Sequence, residues 1–122
     1  MEAYRVYLVE DERIVAMDLM AMLRRIGCVV CGAASRAERA LSEIPELRPD
    51  LVLMDIVLAG RMDGIEAAAE LRENVGVPVV YVTANTDAPM RRRAEATAPA
   101  AFLPKPIDEA GLREALVGVL EQ

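Results

Sequence analysis

Apolar residues follow two rhythms along this chain. Runs with little alternation occupy Val6–Val9, Cys28–Ala34, Leu51–Met54, Val77–Val82 and Ala100–Leu103. Strands that are apolar on both sides suit a parallel sheet covered on both faces, because neither face meets water. Between the runs the spacing turns helical. Val15, Leu19, Met22 and Ile26 share a face, and Gly27 follows as a stop. Ser35 and Glu38 have capping-box spacing ahead of Ala37, Leu41 and Ile44. Asp63 and Glu66 repeat that spacing before Ile65, Ala68, Ala69 and Arg72. Asp87 and Pro89 suit a fourth helix start and Pro99 its close. Asp108 suits the cap of a last helix with the face Leu112, Ala115, Leu116 and Val119. The order is strand then helix, five times over, which predicts an α/β fold. Right-handed crossovers then wind the helices onto both sides of one five-stranded parallel sheet.

Composition narrows this picture. The chain has 122 residues, with no repeat, low-complexity tract or linker, so a single domain over 1–122 is expected. Hydrophobic residues make up 54% and aromatics only 3%, which points to an aliphatic core rather than an aromatic-rich binding module. A net charge of −6 argues against nucleic-acid binding by this chain. The opening "MEAYRVYLVEDE" is too charged for a signal peptide. The greasiest stretch, Ile14 to Met22, is interrupted by Asp18 and closed by Arg24 and Arg25, too short for a membrane span. A cytoplasmic protein is expected. The absence of histidine removes the commonest general base and any internal phosphohistidine. Cys28 and Cys31 form C-x-x-C, but they sit on a strand pattern, where residues three apart point to opposite faces. They read as two core residues, not as a redox or metal pair.

The chemistry gathers at the strand ends. In such sheets ligands bind beyond the carboxyl ends of the strands. Those ends carry Glu10 and Asp11, then Asp55, then Thr83, then Lys105. Crowded carboxylates repel one another, and a divalent cation with oxygen ligands relieves that; Mg²⁺ suits a few carboxylates with room for water and a phosphate oxygen. Lys105 adds positive charge and Thr83 a donor, which is most of what phosphoryl transfer requires. An aspartate can act as the nucleophile and form an acyl phosphate.

With these residues in place, the chain resembles a response-regulator receiver domain of two-component signalling, of the single-domain, chemotaxis-regulator-like kind. The segments "LVEDE", "LVLMD", "DGIEA", "VVYVTA" and "FLPKP" follow the family's order and spacing along essentially the whole chain. The resemblance implies a flavodoxin-like (βα)5 fold with strand order 2-1-3-4-5. It implies that Asp55 is the phosphoacceptor, and that Glu10, Asp11, Asp55 and the backbone carbonyl of Val57 hold Mg²⁺. Thr83 corresponds to the switch hydroxyl, Phe102 to the switch aromatic, and Lys105 to the lysine that pairs with acceptor and phosphoryl oxygens. Pro106 matches a proline usually preceded by a cis bond. A histidine kinase or histidine phosphotransfer protein is the implied donor and a separate protein the target; a phosphorylation-dependent dimer fits the family as well.

The sequence departs from the family pattern in places. Glu10 stands where Asp is commoner, and Phe102 where Tyr is often found. The loop "IVLAGRMDG" is one residue longer than the common version and lacks its proline. Other readings compete with the switch. Start and end at Met1 and Gln122 suggest a stand-alone receiver, against one excised from a longer regulator or hybrid kinase. An aspartate-nucleophile phosphatase would share the acyl-phosphate chemistry but usually carries D-x-D, whereas Ile56 and Val57 follow Asp55. A separate enzymatic activity is therefore not expected, and the intact acceptor, threonine and lysine argue against a degenerate docking module. Glu12 reads as a helix-start acid, Arg91–Arg92–Arg93 as a solvated helix face or a partner contact, and Met90 as a residue at an adaptable surface.

Overall fold

The computed structural model describes residues 3–84 and 87–121; Met1, Glu2, Asn85, Thr86 and Gln122, including both ends of the expected domain, lie outside them. Strand and helix alternate throughout. The elements are β1 (Arg5–Val9), α1 (Arg13–Ile26), β2 (Val29–Ala34), α2 (Ala37–Leu47), β3 (Leu51–Met54), α3 (Gly64–Asn74), β4 (Val79–Thr83), α4 (Ala88–Glu95), β5 (Ala101–Pro104) and α5 (Glu109–Leu120). The strands form one parallel sheet in the order β2-β1-β3-β4-β5, as the resemblance implied. The pairings Val9↔Met54, Met54↔Tyr81 and Thr83↔Pro104 bring the carboxyl ends of four strands together at one edge.

Alternation within the strands divides the core in two. Tyr7, Val9, Val52 and Met54 pack beneath α2 and α3, together with Ala94 of α4. Val6, Leu8, Leu51 and Leu53 pack on the other face against α1 and α5, through Leu19, Leu23, Leu112 and Leu116. The three central strands are almost wholly buried, apart from Arg5 at the start of β1, whereas the edge strands β2 and β5 are mostly half-exposed. Full apolar character therefore matches double coverage only in the middle of the sheet.

Most of the expected helix signals are present. Gly27 ends α1 in the left-handed conformation, φ 105°, with its N–H bonded to Leu23 and Arg24 carbonyls. Asp63 and Glu66 form a reciprocal capping box, and the Asp87 and Asp108 side chains accept from Met90 N–H and Gly111 N–H. Two readings are corrected. Ser35 does not cap α2: the N-cap is Arg36, which makes no side-chain cap hydrogen bond. Arg36 is instead in extended backbone bridged to Ala59, so tertiary pairing sets the helix entry one residue later. On α3 the buried face runs through Ile65, Ala67, Ala68 and Leu71, while Ala69 is exposed. Cys28 and Cys31 form no disulfide and pack against opposite core clusters. Cys31 falls at a register shift in which Val6 pairs with Val30 but Tyr7 with Gly32.

Candidate functional site

Strand register, more than any loop, builds the site. Because Val9 pairs with Met54, Glu10 and Asp55 leave the sheet side by side; Asp55 N–H donates to the Val9 carbonyl at 2.9 Å and Glu10 N–H to Ala34 at 3.0 Å. Both carboxylates are buried, at 4% and 5% exposure, as is Thr83 at the end of β4. Carboxylate oxygens of Glu10, Asp11 and Asp55 all lie within 4.8 Å of one another. Lys105 follows β5 directly, its N–H bonded to the Thr83 carbonyl at 3.1 Å. Its ammonium Nζ reaches 2.8 Å from Glu10 Oε1, 3.3 Å from Asp55 Oδ2 and 3.4 Å from Glu12 Oε1. The Lys105–Pro106 bond is cis, as the resemblance implied.

The loop after Asp55 is shaped by its own backbone. Val57 N–H donates to Asp55 Oδ1 at 3.4 Å, which puts its backbone beside the carboxylate while its side chain is exposed. Gly64 N–H bonds the Ile56 carbonyl at 2.8 Å, and a Cβ at Gly64 would sit 1.9 Å from the Asp55 carbonyl oxygen. Only glycine allows α3 to start so close to the strand end. That is the physical reason for glycine after Asp63.

The electrostatics are unbalanced. Burial, then the neighbouring Glu10 carboxylate, push the Asp55 carboxyl up to about 7 against the opposing pull of Lys105. Burial alone would depress the Lys105 ammonium, but hydrogen bonding and charge from Glu10 and Asp55 outweigh it and hold it above its ordinary value. Glu10 Oε1 is fully buried and makes no aligned hydrogen bond, although Lys105 lies close enough for an ion pair. Its partner oxygen Oε2 accepts from Glu12 N–H at 3.0 Å. A buried oxygen with spare lone-pair capacity, beside two further carboxylates, is a donor set that fits a hard divalent cation.

A second group lies one strand further over. Tyr81 and Phe102 are direct cross-strand partners with ring centroids 5.2 Å apart and a 37° interplanar angle. The Arg91 guanidinium carbon lies 3.9 Å from the Phe102 ring centre, and Arg91 also pairs with Glu95 at 3.3 Å. Arg93 pairs with Asp63 at 3.1 Å. The arginine run is thus not simply a solvated face: two of its members are tied within the domain. Met90 is partly buried against the core rather than free at the surface.

Glu10, Asp11, Asp55 and Lys105 meet here, the Thr83 carbonyl bonds the Lys105 backbone, and Phe102 stands on β5 against Tyr81. Three contributors were missed. Glu12 shares Lys105, Gly64 makes room for the Asp55 carbonyl, and Tyr81 carries the Phe102 ring. The Asp-Gly pair was a visible signal for Gly64, whereas nothing in the spacing separates Glu12 from an ordinary helix-start acid.

The chain belongs to the response regulator receiver domain family, which it matches over residues 6–117. It is similar to the transcriptional regulatory protein PdtaR of Mycobacterium tuberculosis, 38% identical over 113 residues, covering 92% of this chain and 54% of that protein. It is also similar to the DNA-binding response regulator MtrA of Mycolicibacterium smegmatis, 44% identical over 85 residues, or 68% of this chain and 36% of that one. The chain therefore spans about half the length, or less, of these curated relatives. Among solved structures, the signal receiver domain of a modulated diguanylate cyclase from Desulfovibrio desulfuricans G20 matches with a TM-score of 0.93 and 33% identity, covering 98% of this chain and 94% of that one. The signal receiver domain of the response regulator NarL from Mycobacterium tuberculosis matches at 0.88 and 26%, covering 96% and 95%. The family is one of signalling switches in two-component systems. Among the described residues no helix is long and apolar enough to cross a membrane.

Proposed function

We propose that this chain is a phosphorelay switch in which Asp55 accepts a phosphoryl group from a separate histidine-bearing protein. The observation that carries this reading is the convergence of Glu10, Asp11 and Asp55 with Lys105 at one sheet edge. The chain has no histidine, so a phosphohistidine donor, whether kinase or phosphotransfer protein, lies outside it. Asp55 attacks phosphorus through a carboxylate oxygen as the bond to the donor nitrogen breaks, leaving an acyl phosphate on Asp55. Glu10, Asp11, Asp55 and the Val57 carbonyl would hold Mg²⁺, which when bound neutralises charge on carboxylates and phosphoryl oxygens. Lys105, already paired with Asp55, transfers its charge to the phosphoryl oxygens. Thr83 turns its hydroxyl toward the same group, Phe102 moves toward the space beside it, and the surface of α4, β5 and α5 changes for a downstream protein or a second copy. Coupling of this kind is typically worth about 1–3 kcal/mol, or roughly 5- to 150-fold in partner affinity.

The decisive test is intact mass after incubation with acetyl phosphate and Mg²⁺. Wild type should gain one hydroxylamine-labile phosphoryl group and Asp55→Asn none; equal labelling of the variant overturns the assignment. A phosphatase reading has less support, because the position two after Asp55, where such enzymes place a general acid, is Val57. The length of the relatives favours one refinement. A receiver that is part of a longer regulator accounts for the partial coverage of PdtaR and MtrA. The mass of the protein isolated from its source decides between that and a stand-alone switch.

A further inference from the structure

The arginine of α4 that lies over the Phe102 ring has no role in the phosphoryl chemistry, yet its surroundings fix it closely. Its guanidinium carbon sits 3.9 Å from the ring centre, over a ring whose other neighbour is Tyr81 at 5.2 Å. Glu95, one helical turn on, bonds the same guanidinium at 3.3 Å and sets its orientation. The helix beneath it is tied down independently. Arg93 pairs with Asp63 at the start of α3, Arg72 of α3 donates to the Ala96 carbonyl, and the Tyr81 and Thr97 hydroxyls are 2.7 Å apart. Arg91 therefore rides on a fixed helix, and Phe102 cannot slide along β5 toward Thr83 without leaving it.

We propose that Arg91 is a positioning residue for the switch ring: it holds Phe102 stacked on Tyr81, and so favours the arrangement in which Lys105 pairs with the Asp55 carboxylate. This rests on the switch reading above and adds the element that resists it. The ring stands on β5 and the lysine three residues on, directly after the strand, so a shift of this strand end moves both the stacked ring and the Lys105–Asp55 pair at 3.3 Å. Phe102 has no hydroxyl to anchor it by a hydrogen bond, which leaves stacking as its main restraint on the outer side. A planar, delocalised guanidinium suits that role better than a lysine ammonium. Removing a half-exposed cation–π contact should shift such a two-state balance roughly 2- to 5-fold.

The test uses the fact that Phe102 is the only phenylalanine in the chain, so fluorophenylalanine labelling gives one ¹⁹F line that reports this ring alone. Arg91→Ala and Arg91→Gln should move that line in the metal-free protein and tighten apparent binding of beryllofluoride with Mg²⁺ roughly 2- to 5-fold. Glu95→Gln should act in the same direction and less strongly, and should add nothing once Arg91 is gone. An unmoved line, or weaker beryllofluoride binding, overturns the proposal. A moved line with unchanged binding also overturns it, because the stack is then a packing contact only. If wild type fails to bind beryllofluoride, the switch reading falls, while the ¹⁹F line of Arg91→Ala still decides whether the arginine positions the ring.

Discussion

Two neighbouring regions at the same sheet edge solve their packing in opposite ways. At the ends of β1 and β3 a partly buried lysine is shared by buried Glu10 and Asp55 and by the exposed Glu12, with Asp11 close by. At β4 and β5, Tyr81, Phe102 and Arg91 form a stack that leaves no charge unmatched, since Glu95 pairs with the arginine. The first region holds large electrostatic energies in poor balance, so a proton, a cation or a phosphoryl group can change it strongly. The second holds small, nearly balanced energies, so it can rearrange at little cost. A switch needs both: a sensor with large energies and a responder with small ones.

The comparison is tested most severely by removing the shared lysine. Lys105→Met leaves Glu10 and Asp55 facing each other in a buried site, and breaking such a pair costs about 3–5 kcal/mol. Urea unfolding of the metal-free protein at pH 8 should show that loss, and at pH 5 a smaller one, because Asp55 then takes up a proton. The wild type should follow the same sign. Its Asp55 carboxyl is raised from 3.8 to about 7 in the fold, so the protonated form is favoured there. That contribution is complete below about pH 4 and is lost as pH rises through about 7. Metal-free stability should fall across this window, and Asp55→Asn should flatten the fall. A wild type whose unfolding midpoint ignores pH between 4 and 7 would show that the acidic cluster is not out of balance.

Magnesium probes the same region with a slightly smaller effect. At a hundredfold excess over its dissociation constant, Mg²⁺ should raise wild-type stability by about 2.7 kcal/mol, seen as a rise in Tm. Asp11→Ala should lose most of that response and show higher metal-free stability than wild type, through relief of like-charge repulsion. Melts of wild type that are indifferent to Mg²⁺ would separate the carboxylate cluster from metal binding.

The responder region should give smaller numbers. Tyr81→Phe removes the hydroxyl that meets Thr97 at 2.7 Å and should cost about 1 kcal/mol in urea unfolding. Phe102→Ala should leave labelling of Asp55 intact but silence the amide shifts of α4 and β5 on adding beryllofluoride, whereas Phe102→Tyr should keep them. Wild-type shifts confined to the loop after Asp55 would mean that the two regions are not coupled at all.

Much of this protein was already determined by local pattern. Apolar runs broken by helical spacing are enough for five βα units, and the residues following each run are enough to collect Glu10, Asp11, Asp55, Thr83 and Lys105, because a parallel sheet brings its carboxyl ends to one edge. The caps at Asp63, Asp87 and Asp108 were legible for the same reason, since each is a bond between residues three apart. Ser35 had the same spacing and failed, because the Arg36–Ala59 bridge holds the chain extended for one more residue. Tertiary structure alone decided the rest. That Arg91 covers Phe102, that Glu12 shares Lys105 and that Gly64 touches the Asp55 carbonyl all depend on segments distant in sequence meeting at a particular depth and register. The raised Asp55 carboxyl depends on burial beside Glu10, a property of the assembled edge that neither residue carries by itself.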